Sequence, residues 1–337
     1  MPEDLIFCDD SMPGIARRRA GRGWCYFDAD GERITERAEI DRLNAIALPP
    51  AYTDAWYCPS ANGHLLATGV DARGRKQYRY HPDFRLSREC VKYDALLRFG
   101  EALPRVRQRV ADDLAGRGLT RERAIACIVR LLDTAALRVG NETYAKRNRS
   151  FGATTLRKRH ADFSGSLLQL RFRAKSGKFR EVQLKDRSLS RFVRLMQDLP
   201  GQHLFQFLDD AGEACPVGSC EVNAYLRETM GEGFSAKHFR TWSASAIGFE
   251  ALVDCRDHVP IKTVVTEVSQ QLGNTPAIAR KSYIHPAVIA LAADREAQAA
   301  LKADLRLPRR TRWLSRHERA LIAYLSDAPE AAELLAA

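Results

Sequence analysis

Leu168-Gln169-Leu170-Arg171-Phe172-Arg173-Ala174-Lys175-Ser176-Gly177-Lys178-Phe179-Arg180-Glu181-Val182-Gln183-Leu184 reads as a β-hairpin. Leu168, Leu170 and Phe172 alternate with Gln169, Arg171 and Arg173, and Val182 and Leu184 resume the alternation past a Lys175-Ser176-Gly177-Lys178 turn. Lys175 therefore falls at or near the tip, where a lysine is ordinarily solvated. Around this hairpin the period changes. From about Ser87 the chain has long segments rich in Ala, Leu, Arg and Glu, such as Arg121 to Leu137, where Ile125, Ile128, Val129 and Leu132 mark one helical face. Further out, from Gly23 to about Phe84, short β-type runs (Trp24 to Phe27, Ala55 to Cys58, Gln77 to Tyr80) are separated by turn clusters such as Asp28-Ala29-Asp30-Gly31. The expected fold class is α+β: a small sheet-rich N-terminal domain over 1–88, and a larger, mainly helical domain over 89–337 with the hairpin inserted.

The length of 337 residues suits two domains, and a hydrophobic fraction of 45% suits a globular chain. A formal net charge of +11 favours a polyanionic partner. The eight cysteines are scattered with no C-x-x-C pair and no histidine cluster at metal spacing, so they read as thiols, and no metal site is expected. Met1-Pro2-Glu3-Asp4 lacks a basic stretch followed by an apolar one, which makes a reducing cytoplasm the expected compartment. No apolar run approaches the ~20 residues that span a bilayer. The closing stretch, Ala328 to Ala337, is expected to fray.

Four segments carry chemistry-bearing residues. Leu137-Arg138-Val139-Gly140-Asn141-Glu142-Thr143-Tyr144 follows a helix, with Gly140 expected to mark its end. The hairpin tip holds Lys175. Ser235-Ala236-Lys237-His238-Phe239-Arg240 reads as a helix start capped by Ser235, placing Lys237 and Arg240 one turn apart, where two cations repel unless an anion joins them. In Leu272-Gly273-Asn274-Thr275-Pro276-Ala277-Ile278-Ala279-Arg280-Lys281-Ser282-Tyr283, Gly273 ends one helix, Thr275 caps the next and Pro276 suits its first position, leaving Tyr283 about two turns in. Each feature alone is ordinary: solvated charges and a core tyrosine.

Taken in order, Arg138, Lys175, Lys237-x-x-Arg240 and Leu272-Gly273-Asn274-Thr275-Pro276 leading to Tyr283 resemble the type IB DNA topoisomerases, in their compact poxvirus-like and bacterial branch. The resemblance runs from about Gly23 to the end of the chain. It implies an enzyme that relaxes supercoiled duplex DNA by cutting and resealing one strand through a 3′-phosphotyrosyl intermediate, with no cofactor, ATP or metal. It implies Tyr283 as nucleophile, Arg138 and Arg240 as donors to the non-bridging oxygens, Lys175 as general acid and Lys237 as its assistant. Where the poxvirus branch has histidine this chain has Asn274, which can donate a hydrogen bond but cannot be cationic.

Gly69-Val70-Asp71-Ala72-Arg73-Gly74-Arg75-Lys76-Gln77-Tyr78-Arg79-Tyr80 also resembles a DNA-contacting segment of that family, making Arg75, Lys76, Gln77, Tyr78 and Tyr80 candidate DNA contacts. On a strand, Tyr78 and Tyr80 share one face and Gln77 and Arg79 the other. Tyr144 resembles the family tyrosine that touches DNA near the break, and Arg17, Arg18, Arg19, Arg157, Lys158 and Arg159 are candidate phosphate contacts. The expected partner is double-stranded DNA, with no membrane and no small-molecule cofactor. One chain holds every group, so a monomer is expected, nucleoid-associated if bacterial. Two other readings stand beside this one. A tyrosine recombinase or integrase shares the arginine, lysine and tyrosine chemistry but commonly has histidine where this chain has Lys237. A non-catalytic basic DNA-binding protein has no use for the reactive set.

Overall fold

A computed structural model describes residues 2 and 4–336 and divides the chain into two compact units, Met1–Val91 and Lys92–Ala337. Met1 and Glu3 of the opening tetrapeptide, Ala337, and the side chain of Ser176 lie outside what is described. The first unit contains β1 (Ile15–Ala20), β2 (Gly23–Phe27), α1 (Arg37–Ala45), β3 (Thr53–Tyr57), β4 (Leu65–Val70) and β5 (Lys76–Tyr80). The strands form one antiparallel sheet in the order β2-β1-β3-β4-β5, so β5 is an edge strand. Its buried face brings Ile15, Tyr26, Tyr57 and Ala67 against Leu43 of α1 and Leu48. Tyr26 and Tyr57 meet edge to face at 5.5 Å, and Tyr26 donates its hydroxyl to Asn44 Oδ1 at 2.9 Å, so burial leaves that polar tip satisfied.

Strand β1 was hidden by its own composition. Its arginine run reads as a solvated charge cluster, yet Arg17 Nη1 donates to the Leu48 carbonyl at 2.8 Å and to the Tyr57 hydroxyl at 3.1 Å, and Nη2 donates to the Pro49 carbonyl at 2.6 Å. Arg17 is thus a brace of the sheet.

Helix α2 (Pro82–Ala115) leads into the second unit, followed by α3 (Arg121–Ala135) and α4 (Glu142–Asn148). Then come β6 (Ala161–Ser164), β7 (Leu167–Arg173), β8 (Phe179–Lys185), α5 (Arg187–Gln197), β9 (Gln206–Leu208) and β10 (Ala214–Pro216). The chain finishes with α6 (Ser219–Met230), α7 (Ala236–Asp254), α8 (Ile261–Leu272), α9 (Pro276–Ser282), α10 (Pro286–Ala293), α11 (Arg295–Asp304), α12 (Arg316–Ser326) and α13 (Ala331–Ala336). The expected hairpin is β7 and β8, paired from Leu167↔Lys185 to Arg173↔Phe179 and extended by β6 into three strands. Leu168, Leu170, Phe172 and Val182 point into the core as the alternation requires.

Helix α3 is buried on nearly every side, not on one face: Ala124, Ala126, Cys127 and Leu131 are as covered as Ile125, Ile128, Val129 and Leu132. Short side chains at these positions let neighbouring elements approach all round. Trp242 of α7 packs so tightly on Gly100 of α2 that a Cβ there would stand 2.4 Å from the indole. The indole Nε1 donates to Glu318 of α12 at 3.1 Å, and Arg107 of α2 joins the same carboxylate (2.6 Å) to Asp133 of α3 (2.8 Å). Half-buried charges of both signs thereby satisfy one another.

Candidate active site

Three turns of the second unit converge. The first follows α3. That helix ends at Ala136, which takes a left-handed conformation (φ 48°), and Gly140 (φ 100°) bends the loop beyond it. The helix therefore stops earlier than Gly140, because an alanine accepts the left-handed cap that sequence reasoning assigns to glycine. The loop is held from below. The Arg138 carbonyl accepts the Ala153 N–H at 2.8 Å, and a Cβ on Gly152 would come within 2.6 Å of that oxygen.

The second is α7, with Ser235 at its N-cap. The His238 ring accepts the Ser235 N–H at 3.1 Å, and Arg240 follows, only 4% exposed. The third is the α8–α9 turn, built as its sequence predicts: Gly273 is left-handed (φ 64°), the Thr275 hydroxyl accepts the Ile278 N–H, and Pro276 opens α9. Because α9 is only 7 residues long, Tyr283 lies at its end as the C-cap, its N–H on the Ala279 carbonyl, and not within the helix.

Asn274 ties the turns together. Its Oδ1 accepts from Arg138 Nη2 at 2.7 Å and from Arg240 Nη2 at 3.2 Å. Arg240 also donates to the Leu272 carbonyl at 3.1 Å and to the Ala136 carbonyl, and its guanidinium lies 4.8 Å from the centre of the Tyr283 ring. With the amide oxygen occupied, Asn274 Nδ2 and Arg240 Nε are left buried without an acceptor. Buried donors in that condition cost free energy until something accepts from them.

The charges respond to one another. Burial, reinforced by repulsion from Arg138, brings the Arg240 guanidinium down to about 10. Burial pushes the Tyr283 phenol up, but Arg240 and Arg138 together outweigh it and hold the phenol below its ordinary value.

Arg180, on β8, was not singled out in the sequence. Its Nη2 donates to the Ala135 carbonyl at 3.3 Å and to the Gln271 carbonyl, and a Cβ on Gly273 would lie 2.9 Å from its Nη1. With Arg138, Arg240 and Asn274 it lines a cavity of about 270 Å³, and burial followed by Arg138 lowers its affinity for a proton. A signal was present, since Arg180 shares the inward face of its strand with Val182.

The two lysines stand apart from this cluster. Lys175 is exposed in a tight turn, Lys175–Gly177, at the hairpin tip, and Lys237 is exposed one turn before Arg240. Among the described residues no hydrogen bond or ion pair joins either to Arg138, Arg240, Asn274 or Tyr283. Tyr144 is an exposed residue of α4, its N–H held by the Asn141 side chain at 3.0 Å.

In the first unit, Tyr78 and Tyr80 stack at 6.0 Å on an exposed face of β5, as the alternation predicts. Arg75 pairs with Asp71 at 2.7 Å, Gln77 donates to the same carboxylate at 3.0 Å, and Lys76 pairs with Asp10. Of the candidate phosphate contacts, Arg157 is tied to Glu142 at 2.6 Å and Lys158 to the Leu199 carbonyl, whereas Arg18, Arg19 and Arg159 are exposed or lie over rings.

A family model described as the catalytic core of eukaryotic DNA topoisomerase I matches residues 81–302, and one described as the N-terminal domain of bacterial DNA topoisomerase IB matches residues 23–71. A DNA topoisomerase 1B from Acanthamoeba polyphaga mimivirus is 29% identical over 287 residues, covering 81% of this chain and 85% of its own. Two structures of the XerH site-specific recombinase on difH substrate, one post-cleavage and one pre-cleavage, give TM-scores of 0.35 and 0.36 at 14% and 13% identity. They cover 53% and 59% of this chain, which spans about half of each, 47% and 52%.

Proposed function

The chain belongs to the type IB DNA topoisomerases, enzymes acting on DNA, and from that premise we propose how its own residues divide the reaction. Tyr283 gives up its phenolic proton to solvent and Oη attacks the phosphorus of one strand, the bond from phosphorus to the 5′ oxygen breaks, and the enzyme holds the 3′ end while the other end swivels. Arg138 and Arg240 donate to the non-bridging oxygens, where negative charge grows in the transition state. Asn274 Nδ2 is a third donor. Lys175 protonates the departing 5′ oxygen and Lys237 assists; the hairpin tip brings Lys175 in when DNA is bound. Resealing is the reverse: the 5′ hydroxyl attacks, Lys175 takes back its proton, and Tyr283 leaves. A phenol held below its usual range is both a readier nucleophile and a better leaving group.

The observation that carries this reading is the pair of buried, acceptor-less donors, Asn274 Nδ2 and Arg240 Nε, beside the Tyr283 ring. A phosphate oxygen supplies the acceptor they lack. The DNA-contacting groups are Arg75, Lys76, Gln77, Tyr78 and Tyr80 from the sheet and Tyr144 from α4. The reaction needs neither ATP nor metal, because the phosphodiester energy is stored in the tyrosyl link. A single chain suffices, so the enzyme works as a monomer, in the cytoplasm wherever duplex DNA is under torsion.

The test is plasmid relaxation in EDTA without ATP. Tyr283→Phe should abolish it with duplex affinity nearly unchanged, and unimpaired relaxation by that variant ends the assignment. Lys175→Ala should slow cleavage of ordinary DNA but cut a 5′-bridging phosphorothiolate at the wild-type rate, since sulfur departs without a proton; absence of rescue removes Lys175 from the acid role.

A further inference from the structure

At the far end of β7 from the hairpin tip, about 20 Å along a strand of that length, is a second basic cavity that the strand-cutting chemistry does not use. It measures about 890 Å³, and its lining includes Arg123 from α3, Ser166 from the β6–β7 turn, and Arg187, Arg191 and Arg194 from α5. The three α5 arginines fall on one helix face, at spacings of four and three residues, where like charges repel. The opposite face, with Leu189, Phe192, Val193 and Met196, is buried in the core, so the helix cannot turn to separate them.

Arg123 sharpens the point. It is 4% exposed, and its guanidinium lies 4.2 Å from the centre of the Phe192 ring. Nε donates to the Leu114 carbonyl at 3.3 Å and Nη1 to the Gly118 carbonyl at 2.9 Å. Among the described residues no carboxylate pairs with Arg123, Arg187 or Arg191. Arg194 Nη2 donates to the Gly165 carbonyl at 2.6 Å, which fixes it at the cavity's rim. Burial, and then repulsion from Arg191, already makes the Arg123 cation less favourable. A buried cation whose neighbours are further cations is a site short of an anion.

We propose that this cavity binds a small oligophosphate, a di- or triphosphate chain, free or carried on a nucleotide. Several guanidiniums around one recess match a chain with several negative charges, each phosphate taking paired N–H donors. The concave shape, with its buried cation, favours a compact anion that can enter over the convex backbone of a duplex. The inference goes beyond the topoisomerase reading and does not depend on it.

The probe is inorganic triphosphate, titrated calorimetrically into the full chain with and without saturating duplex DNA, with ATP in a parallel arm. The comparison variant is R187Q/R191Q, two exposed positions whose replacement leaves the core intact, checked by an unchanged melting temperature and unchanged relaxation in the absence of triphosphate. The expected result is binding that persists in the presence of duplex and weakens at least tenfold in the variant. A similar affinity for ATP identifies the phosphate chain as what is recognised, and a tighter one adds the nucleoside. Three results overturn the proposal: no binding to the wild-type chain at millimolar triphosphate, equal binding to the variant, or binding abolished by duplex, which would assign the face to DNA. Triphosphate held by the active-site arginines is unaffected by R187Q/R191Q, so it registers as equal binding.

Discussion

Three cations of the sheet unit and the two arginines at the candidate site of the helical unit differ in their bonding. Arg17, Arg75 and Lys76 have protein partners: carbonyls around Leu48 and Pro49 for the first, Asp71 and Asp10 for the others. The Arg75 hydrogen bonds hold the Asp71 carboxyl down to about 2, so that pair stays charged at any ordinary pH. In the helical unit Arg138 and Arg240 converge on one neutral amide oxygen, with no carboxylate pairing with either among the described residues, beside donors that remain unsatisfied. A cation with a protein counter-ion shapes its surroundings, whereas a pair of cations sharing a neutral acceptor is arranged for an anion that comes from outside.

If that contrast is right, substitutions in the two units should differ in size and in kind. The largest effect belongs to Arg240→Ala, which should lower single-turnover strand cleavage by about 10²-fold or more, the usual cost of losing a transition-state donor. Its pH profile should change as well. Cleavage by the wild-type chain should rise with pH and level off below the ordinary phenol value, because the cations hold Tyr283 down; without Arg240 that rise should move to higher pH. A profile that does not move would show that the guanidinium does not act on the phenol.

Arg180→Ala comes next, with a loss in cleavage of up to about 10²-fold, the scale of misplacing a catalytic group through its support. Arg180 bridges the Ala135 and Gln271 carbonyls, so its loss should loosen Arg138 and Asn274 together and lower the cleavage rate constant more than DNA affinity. Equal losses in both would mark it as a DNA contact instead. Arg17→Met should leave the cleavage rate alone and destabilise the sheet unit by about 1.5–3 kcal/mol, the range for hydrogen bonds to a charged group, read as a lower unfolding midpoint in urea. The smallest effect is Arg75→Ala. Its ion pair with Asp71 sits at a solvent-screened surface turn, so stability should barely change, while duplex affinity should fall severalfold and depend less steeply on salt.

Much of this was legible in the chain, and what was not has identifiable causes. The hairpin and the α8–α9 turn could be read because their signals are local: strict alternation through Leu168, Leu170 and Phe172, and a glycine, threonine and proline in capping order. Arg138, Arg240, Asn274 and Tyr283 could be singled out by order and spacing, but their convergence on one amide oxygen is a tertiary fact that no window of sequence contains. The end of α3 was misplaced because Ala136 adopts a conformation usual for glycine. Arg180 gives no local signal of its role because its partners are carbonyls distant in sequence, and β1 gives none because a charged run hides a strand whose Arg17 faces inward.

Asn274 has a consequence for the setting in which the protein operates. An imidazole in its place would gain or lose a proton as the surroundings drift around neutrality, whereas an amide does not. His285, two residues beyond Tyr283, is drawn down to about 4 by burial, so it stays neutral through the same interval. The charge at these two positions therefore stays constant under mild acidification.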